Sequence, residues 1–544
     1  MRLTPRQRGR IKIYEDVVPQ PSSSVIPHPL SSRLHKGRHL YSIATGALLL
    51  AYPFGPAALL HLAAPAAAVY AVMRQIRPHA GTLAWTLAFS YLVWRHVAGA
   101  SGVAWKAGLV DYTGALMVLT LKVIAGAVAY QDGLRLAAEE ADGEEAGGEG
   151  PAVGAAAAAA APTTTPAPTP SPRRLLPYAR AHALADLPTP LEWAGYCLGA
   201  GNLLSGPFFE VADYLAYTRR EGDWAAGIPA GAGPAAAARL AKAITCGVAH
   251  SVLKPRFGVH ALEGAPYAGA GLAGRLALLW ASGVTDRLKY YFAWAIAEAS
   301  LIASGFAYEG PGPAPSSLAA SQAGRDSDGS AVGGASGRSE GGGGGDGGRA
   351  AAPATTTTTG PHPPGGARWE RHTNAAFLSV ELATSAAALP AFWNARTGAF
   401  LRHYVYERLT RGRRGGLRTM LATQAVAGVW HGLFPGYAMF FASSAFMFEA
   451  AKALYRYERH AWPRWVCRAR LYRLVKWGFT AACLNYSASA FQILDAGPAW
   501  RVWEGVHFLP SFLMLAIVVV AKVVPPRARR GARRAGVGGG EKEG

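Results

Sequence analysis

Cysteine, acidic residues and the familiar catalytic signatures are what this chain has least of. Its 544 residues include four cysteines, Cys197, Cys246, Cys467 and Cys483, too widely spaced for a CxxC pair or a disulfide framework, so they read as packing residues. The fifteen histidines form no HExxH or other metal-ligand set, and no structural metal is implied. No serine or cysteine nucleophile motif of the GxSxG type stands in a strand-to-helix context, and no HxxxxD pair stands in suitable context, so nothing points to a covalent intermediate. Charge is sparse at 16% of residues, with 33 Asp and Glu against 54 Lys and Arg, for a net +21. Such an excess can serve nucleic acid, but no nucleic-acid-binding motif accompanies it. The basic residues gather in loops and tails between apolar runs, which fits the positive-inside pattern and an anionic membrane surface. Met1 to Arg38 is basic, broken by Pro19, Pro21, Pro27 and Pro29, and lacks the apolar centre of a cleavable signal peptide. Insertion therefore falls to the first membrane span.

What the chain has in quantity is apolar sequence, 51% of residues. Apolar segments run over 41–50, 57–73, 83–97 and 115–130, then 272–282 and a run ending near Ser304, and finally 420–448, 474–493 and 506–524. This recurrence predicts one all-α, polytopic integral membrane protein rather than a set of soluble domains. The mean hydropathy of +0.12 is low only because two inserts dilute it. One is acidic over 139–149 and rich in Ala, Thr and Pro over 151–172. The other, 310–366, contains Gly341 to Gly345 and Thr355 to Thr359 and is expected to be disordered. The predicted organisation is a basic N-terminal segment (1–38), membrane helices (39–133), a linker (134–177), membrane and re-entrant helices (178–309), an insert (310–368), catalytic membrane helices (369–524) and a basic tail (525–544).

Polar groups at membrane depth are functional candidates. Lys122 lies mid-span and is expected to pair with an acid or snorkel to an interface. The stretch 188–208, broken by Gly and Pro and rich in aromatics, is expected to be interfacial or re-entrant, and Arg287-Leu288-Lys289-Tyr290-Tyr291 to be an interface anchor. His431 is the ionisable group inside 420–448, where Gly428, Gly432, Pro435 and Gly436 break the helix. Irregular backbone at that depth is tolerated where protein buries it or where it lines a cavity. Asn394 follows an apolar run, and Arg402, Tyr404 and Arg408 follow it at a spacing that suits an amphipathic surface helix. A histidine in a dry cavity can take a proton from an alcohol, and an asparagine amide can support a developing oxyanion.

Three blocks resemble the signatures of the membrane-bound O-acyltransferase (MBOAT) family: Trp393-Asn394-Ala395-Arg396-Thr397, Leu401-Arg402-His403-Tyr404-Val405-Tyr406-Glu407-Arg408-Leu409 and Trp430-His431-Gly432-Leu433-Phe434-Pro435-Gly436-Tyr437. They are most similar to its lysophospholipid acyltransferase branch. Asp111-Tyr112-Thr113-Gly114-Ala115-Leu116-Met117-Val118-Leu119-Thr120-Leu121-Lys122, Arg287-Leu288-Lys289-Tyr290-Tyr291-Phe292-Ala293-Trp294 and Leu484-Asn485-Tyr486 are similar to further blocks of the plant-type lysophosphatidylcholine acyltransferases. The likeness covers about Arg38 to Val524 without the inserts.

The resemblance implies roughly ten to eleven spans or re-entrant segments around an internal tunnel. It implies His431 as catalytic base with Asn394 as partner, acyl-CoA as co-substrate, no tightly bound cofactor, lysophospholipid as acceptor and residence in the endoplasmic reticulum membrane. Trp393, Arg396, Arg402, Tyr404, Trp430, Gly432, Pro435 and Tyr437 are the implied substrate-binding or site-lining residues, with interfacial anchoring an equal reading for Arg396, Arg402 and Tyr404. Family members of this branch usually begin with an apolar first helix, whereas Arg10 to Pro29 is polar here, so either the first span is missing or the start of the gene model is wrong. Two other readings stay open: the same chemistry on a sterol, diacylglycerol or protein, and a non-enzymatic lipid transporter in which His431 relays protons with Glu298, Glu381 or Glu449. The sequence carries no signal for oligomeric state, headgroup or chain preference.

Overall fold

The computed structural model describes residues 28–99, 111–147, 175–311, 366–411, 413 and 415–526. The N-terminal segment up to residue 27, most of both inserts and the tail beyond 526 lie outside these described residues. Within them the chain is helical, and the only β-type pairings are two isolated bridges, Pro311 with Ala367 and Ala375 with Trp393.

The first bundle is built by α1 (His28–Phe54), α2 (Ala57–Gln75), α3 (Ala80–Gly99) and α4 (Thr113–Gly147). Asp111 starts α4 by accepting from the Thr113 amide (3.0 Å) and hydroxyl (2.8 Å). From Ala115 to Gly133 every residue of α4 is buried, as expected of a helix that is apolar all round. It continues through Gly147, so the linker begins later than position 134. The short helices α5 (Pro177–His182), α6 (Pro190–Cys197) and α7 (Val211–Arg219) then fold back onto α4. Trp193, Tyr196, Phe208 and Phe209 are core residues here, so the aromatics of 188–208 fill the interior and do not sit at an interface.

The second half pairs α8 (Ala232–Phe257) with α9 (Leu272–Ala303) along their lengths. It then adds α10 (Phe377–Glu381), α11 (Ala395–Phe400), α12 (Leu417–His431), α13 (Pro435–His460), α14 (Arg470–Ile493), α15 (Ala496–Gly505) and α16 (Leu509–Val523). By length and composition, α2 and the Thr113–Ala141 part of α4 can each cross a bilayer, and α15 with α16, bent by 79°, can do so as one broken span. Outward-facing stripes agree with a lipid environment: Leu240, Ile244, Val248 and Val252 recur every four residues on α8 and all are exposed.

Two expectations about buried charge change. Lys122 is fully buried and neither snorkels nor meets an acid: its Nζ donates to Asn202 Oδ1 (3.2 Å) and lies 4.7 and 4.5 Å from the centres of the Tyr196 and Phe209 rings. Arg287 is likewise no interface anchor. It is buried in α9, with Nε and Nη2 donating to Glu381 (2.7 and 2.6 Å) and Nη1 to Asn485 Oδ1 (2.8 Å).

The second insert leaves and rejoins the fold at one point. The Glu309 amide donates to the Arg368 carbonyl (3.0 Å) and the Arg368 amide to the Gly310 carbonyl (3.1 Å). Because the two ends already meet, loop length between them has little energetic weight, about 0.6 kcal/mol per doubling. Replacing 312–365 by a short glycine linker is therefore expected to leave activity within about twofold. An inserted but inactive deletion variant would show that this segment contributes to the site.

Candidate active site

Helix α12 ends at His431 because Gly432 takes φ +136, a conformation that favours glycine, and Pro435 then opens α13 as its first residue. Gly436 lets α13 start against α14: its amide donates to Leu494 O (2.7 Å), and a Cβ there would lie 2.2 Å from Ala490 O. The break thus stops the helix and sets the imidazole at its end.

The half-buried His431 ring stands in an aromatic slot. Phe441 lies 5.3 Å away and nearly parallel, Phe491 meets it edge-on at 5.0 Å, and Trp430 and Tyr437 stand at 4.7 and 5.7 Å. Among the described residues neither ring nitrogen has a hydrogen-bond partner. Trp430 is held from two sides: its indole N–H donates to Met117 O on α4 (2.9 Å), and His96 Nε2 donates to its carbonyl (3.1 Å). Because the last carbonyls of a helix lack intrahelical donors, His96 serves α12 as a side-chain cap from a distant helix.

Asn394 caps α11 in the left-handed conformation, φ +46 and ψ +46, which asparagine tolerates better than most residues. Its Oδ1 accepts from Asn374 Nδ2 (3.2 Å). Trp393 is boxed by Tyr290, Tyr291 and Trp294 of α9, with ring centres 5.7, 5.4 and 4.9 Å away. Arg396 is partly buried. Its Nη2 reaches only the Glu370 carbonyl at 3.5 Å, and its buried Nε has no partner among the described residues.

The structure therefore gathers the named residues into two groups. Trp430, His431, Gly432, Pro435 and Tyr437 form one, and Trp393, Asn394 and Arg396 the other; no hydrogen bond or ring contact joins His431 to Asn394. Helix α13 serves both, through Tyr437 and Phe441 toward His431 and through Phe446 and Met447 in the cluster that holds Trp393.

Arg402 and Tyr404 fall outside both groups. Arg402 is 70% exposed and paired with Glu407 (2.9 Å). Tyr404 is buried and donates to Glu210 (2.7 Å), which also accepts from Tyr178 (2.7 Å), while Arg408 pairs with Asp132 of α4 (2.5 Å). The segment after α11 is a π-helical turn over Leu401–Tyr406 anchored to the first bundle, not a free surface helix. The acids considered as relay partners are also committed elsewhere: Glu298 to Arg239, Glu381 to Arg287 and Glu449 to Lys452.

His96 and Asn374 escaped the sequence reading. His96 adjoins Arg95, which reads as a span end, and Asn374 closes the polar run Glu370-Arg371-His372-Thr373 next to an insert; neither position breaks a pattern. A third grouping brings His35, His39 and Glu192 within 4.8 Å of one another in their ligand atoms. Glu192 Oε2 accepts from the Thr189 amide and hydroxyl and Oε1 from Arg219, so both oxygens are already engaged in a helix cap and an ion pair.

Among the described residues the chain is thus helical, with an imidazole set at a glycine-proline helix break and an asparagine at the N-terminus of a separate short helix. A sequence model of the MBOAT, membrane-bound O-acyltransferase family matches residues 171–490. Lysophospholipid acyltransferase 2 of Arabidopsis thaliana is 32% identical over 506 residues, covering 92% of this chain and 90% of that protein. Lysophospholipid acyltransferase 1 of the same plant is 31% identical over 499 residues, covering 91% and 90%. Membrane-bound glycerophospholipid O-acyltransferase 2 of Rattus norvegicus is 23% identical over 428 residues, covering 76% and 65%. The chain belongs to the membrane-bound O-acyltransferase family.

Proposed function

We propose that this protein transfers a fatty acyl chain from acyl-CoA to the free hydroxyl of a lysophospholipid, with lysophosphatidylcholine as an accepted substrate, in the endoplasmic reticulum membrane. The observation that carries the reading is His431 itself: an imidazole at a helix break, walled by aromatic rings, with both nitrogens unclaimed among the described residues. Such a group is free to bind and deprotonate an alcohol.

In this mechanism His431 takes the proton of the glycerol hydroxyl as its oxygen attacks the thioester carbonyl. Asn394 donates from its amide to the oxygen that becomes negative. The tetrahedral intermediate collapses with cleavage of the C–S bond, and CoA departs as a thiolate, a good leaving group that demands little acid catalysis. No acyl-enzyme is formed. Trp393, Trp430 and Tyr437 shape the walls, Gly432 and Pro435 set the break that presents His431, and Arg396, with its spare N–H, contacts phosphate. Arg402 and Tyr404 enter only by holding the segment after α11 in place. Roughly ten to eleven spans or re-entrant segments enclose a tunnel that admits acyl-CoA from the cytosolic side and lysophospholipid from the bilayer.

Membranes from cells expressing the chain, supplied with labelled acyl-CoA and lysophospholipids of several headgroups, test this reading. Labelled diacyl phospholipid above the level of control membranes is expected. Transfer to a sterol, diacylglycerol or protein with none to any lysophospholipid would overturn the acceptor assignment.

A further inference from the structure

The direction of the Asn394 amide is dictated by backbone. The Arg396 N–H, which can only donate, points at Asn374 Oδ1 (3.1 Å), so that atom must be the acceptor oxygen of the Asn374 side chain. The other half of the same amide is then its NH2, and it faces Asn394 at 3.2 Å. The atom of Asn394 that meets it must be the carbonyl oxygen. With Oδ1 committed in this way, the Asn394 NH2 is left to face away, and among the described residues it has no partner.

Asn374 is itself fixed. It is fully buried, its carbonyl accepts from the Ala395 amide (2.9 Å), and its own amide donates to Glu298 Oε1 (2.7 Å). The Ala375 amide shares that oxygen at 3.4 Å, while Glu298 Oε2 pairs with Arg239 Nη1 of α8 at 2.8 Å. Arg239 also reaches Glu370 at 3.3 Å. A buried polar chain thus runs from α8 through α9 to the loop before α11. It ends on the side chain assigned to the oxyanion, and it accounts for a left-handed residue held at that position.

We propose that Asn374, seated on Glu298, is a positioning residue that locks the Asn394 amide with its N–H groups toward the reacting carbonyl, so that Asn394 acts as a hydrogen-bond donor only. This rests on the assignment of Asn394 as the oxyanion partner. Its consequence is directional: reversing one amide reverses the next. In Asn374→Asp the Arg396 N–H keeps its acceptor, but the atom facing Asn394 becomes a carboxylate oxygen. The Asn394 amide then turns over to donate to it and presents its own oxygen to the substrate, where it repels the developing charge.

The test uses the full chain in membranes or detergent, with insertion and thermal unfolding followed alongside kinetics. Asn374→Asp is expected to lower kcat by roughly 10²-fold, the usual cost of losing one oxyanion donor, with KM for acyl-CoA and lysophospholipid within about threefold of wild type. Glu298→Gln, whose side-chain carbonyl still accepts the Asn374 amide, is expected to retain at least about tenfold more activity than Glu298→Leu. Folded Asn374→Asp protein with wild-type kcat would overturn the proposal, as would activity losses that merely track the amount of folded protein. Asn394→Ala separates the two levels. If it is inactive while Asn374→Asp turns over normally, only the positioning role falls; if it is fully active, the oxyanion assignment falls with it.

Discussion

Replacing His431 with alanine is expected to lower kcat by roughly 10³-fold while the protein still inserts and folds, because a general base contributes about 10² to 10⁴ and, among the described residues, the other candidate bases are engaged elsewhere. The nearest alternative, His96, is engaged through Nε2 by the Trp430 carbonyl. Glu298, Glu381 and Glu449 are held by Arg239, Arg287 and Lys452. KM is expected to change little, since removing a group that acts on the transition state leaves ground-state binding in place. The Phe441 and Phe491 rings lose a flat neighbour but no hydrogen bond, so the unfolding temperature should fall only slightly. Steady-state transfer at matched expression checks this. A His431→Ala protein with most of its activity would return the histidine to a packing role.

The second large effect concerns stability. Glu381→Leu is expected to destabilise the protein by about 3–5 kcal/mol, the usual cost of leaving one member of a buried ion pair uncompensated. Arg287 and Glu381 are tightly enclosed, and the same carboxylate accepts the Tyr291 hydroxyl at 2.9 Å. Tyr291 in turn walls Trp393, so slackening there reaches the residue beside Asn394. The double variant Arg287→Met with Glu381→Leu should recover most of the lost stability, because two apolar side chains of similar size need no partner. Thermal loss of the monodisperse protein in detergent distinguishes the two. Equal loss in both variants would mean that packing at this site matters and charge pairing does not.

How far the sequence carried this picture depends on the kind of contact. Apolar runs located α2, α3, α4, α13, α14 and α16, because burial by lipid or protein is written in composition. The break before α13 was legible from Gly432, Pro435 and Gly436, since those residues act through their own backbone. Helix α9 was not: Ser282, Gly283, Thr285, Asp286 and Arg287 interrupt its apolar run and read as a boundary, although all are compatible with helix. Two of them are polar because α9 faces α14 there, with Ser282 on Gln492 (3.1 Å) and Arg287 on Asn485 (2.8 Å), while Asp286 pairs with Lys289 along α9 itself (2.6 Å). Lys122 shows the same limit. Its burial is legible as costly, but Asn202 lies eighty positions away, and Tyr196, one of the two rings that cover it, belongs to a stretch that reads as interfacial. Periodicity states that a side chain is inside; it does not state what meets it.

The same limit applies within the site. His431 stands out as an ionisable group inside an apolar run, and Asn394 as a polar group at the end of one. Asn374 holds Asn394, and His96 holds the carbonyl of Trp430 next to His431, each from a remote position that does not depart from its local context. The family resemblance implies Arg402 and Tyr404 as site residues, whereas the π-helical turn over Leu401–Tyr406 sends one to solvent and the other to Glu210.

The most direct measurement is kcat for His431→Ala, Asn394→Ala and the double variant in identical membranes, with acyl-CoA and lysophosphatidylcholine saturating. If the two side chains serve one transition state, each single variant loses most of the activity and the double is scarcely slower than the slower single. Losses that multiply fully would place the two residues on separate steps, and undiminished transfer in the double variant would contradict the site altogether.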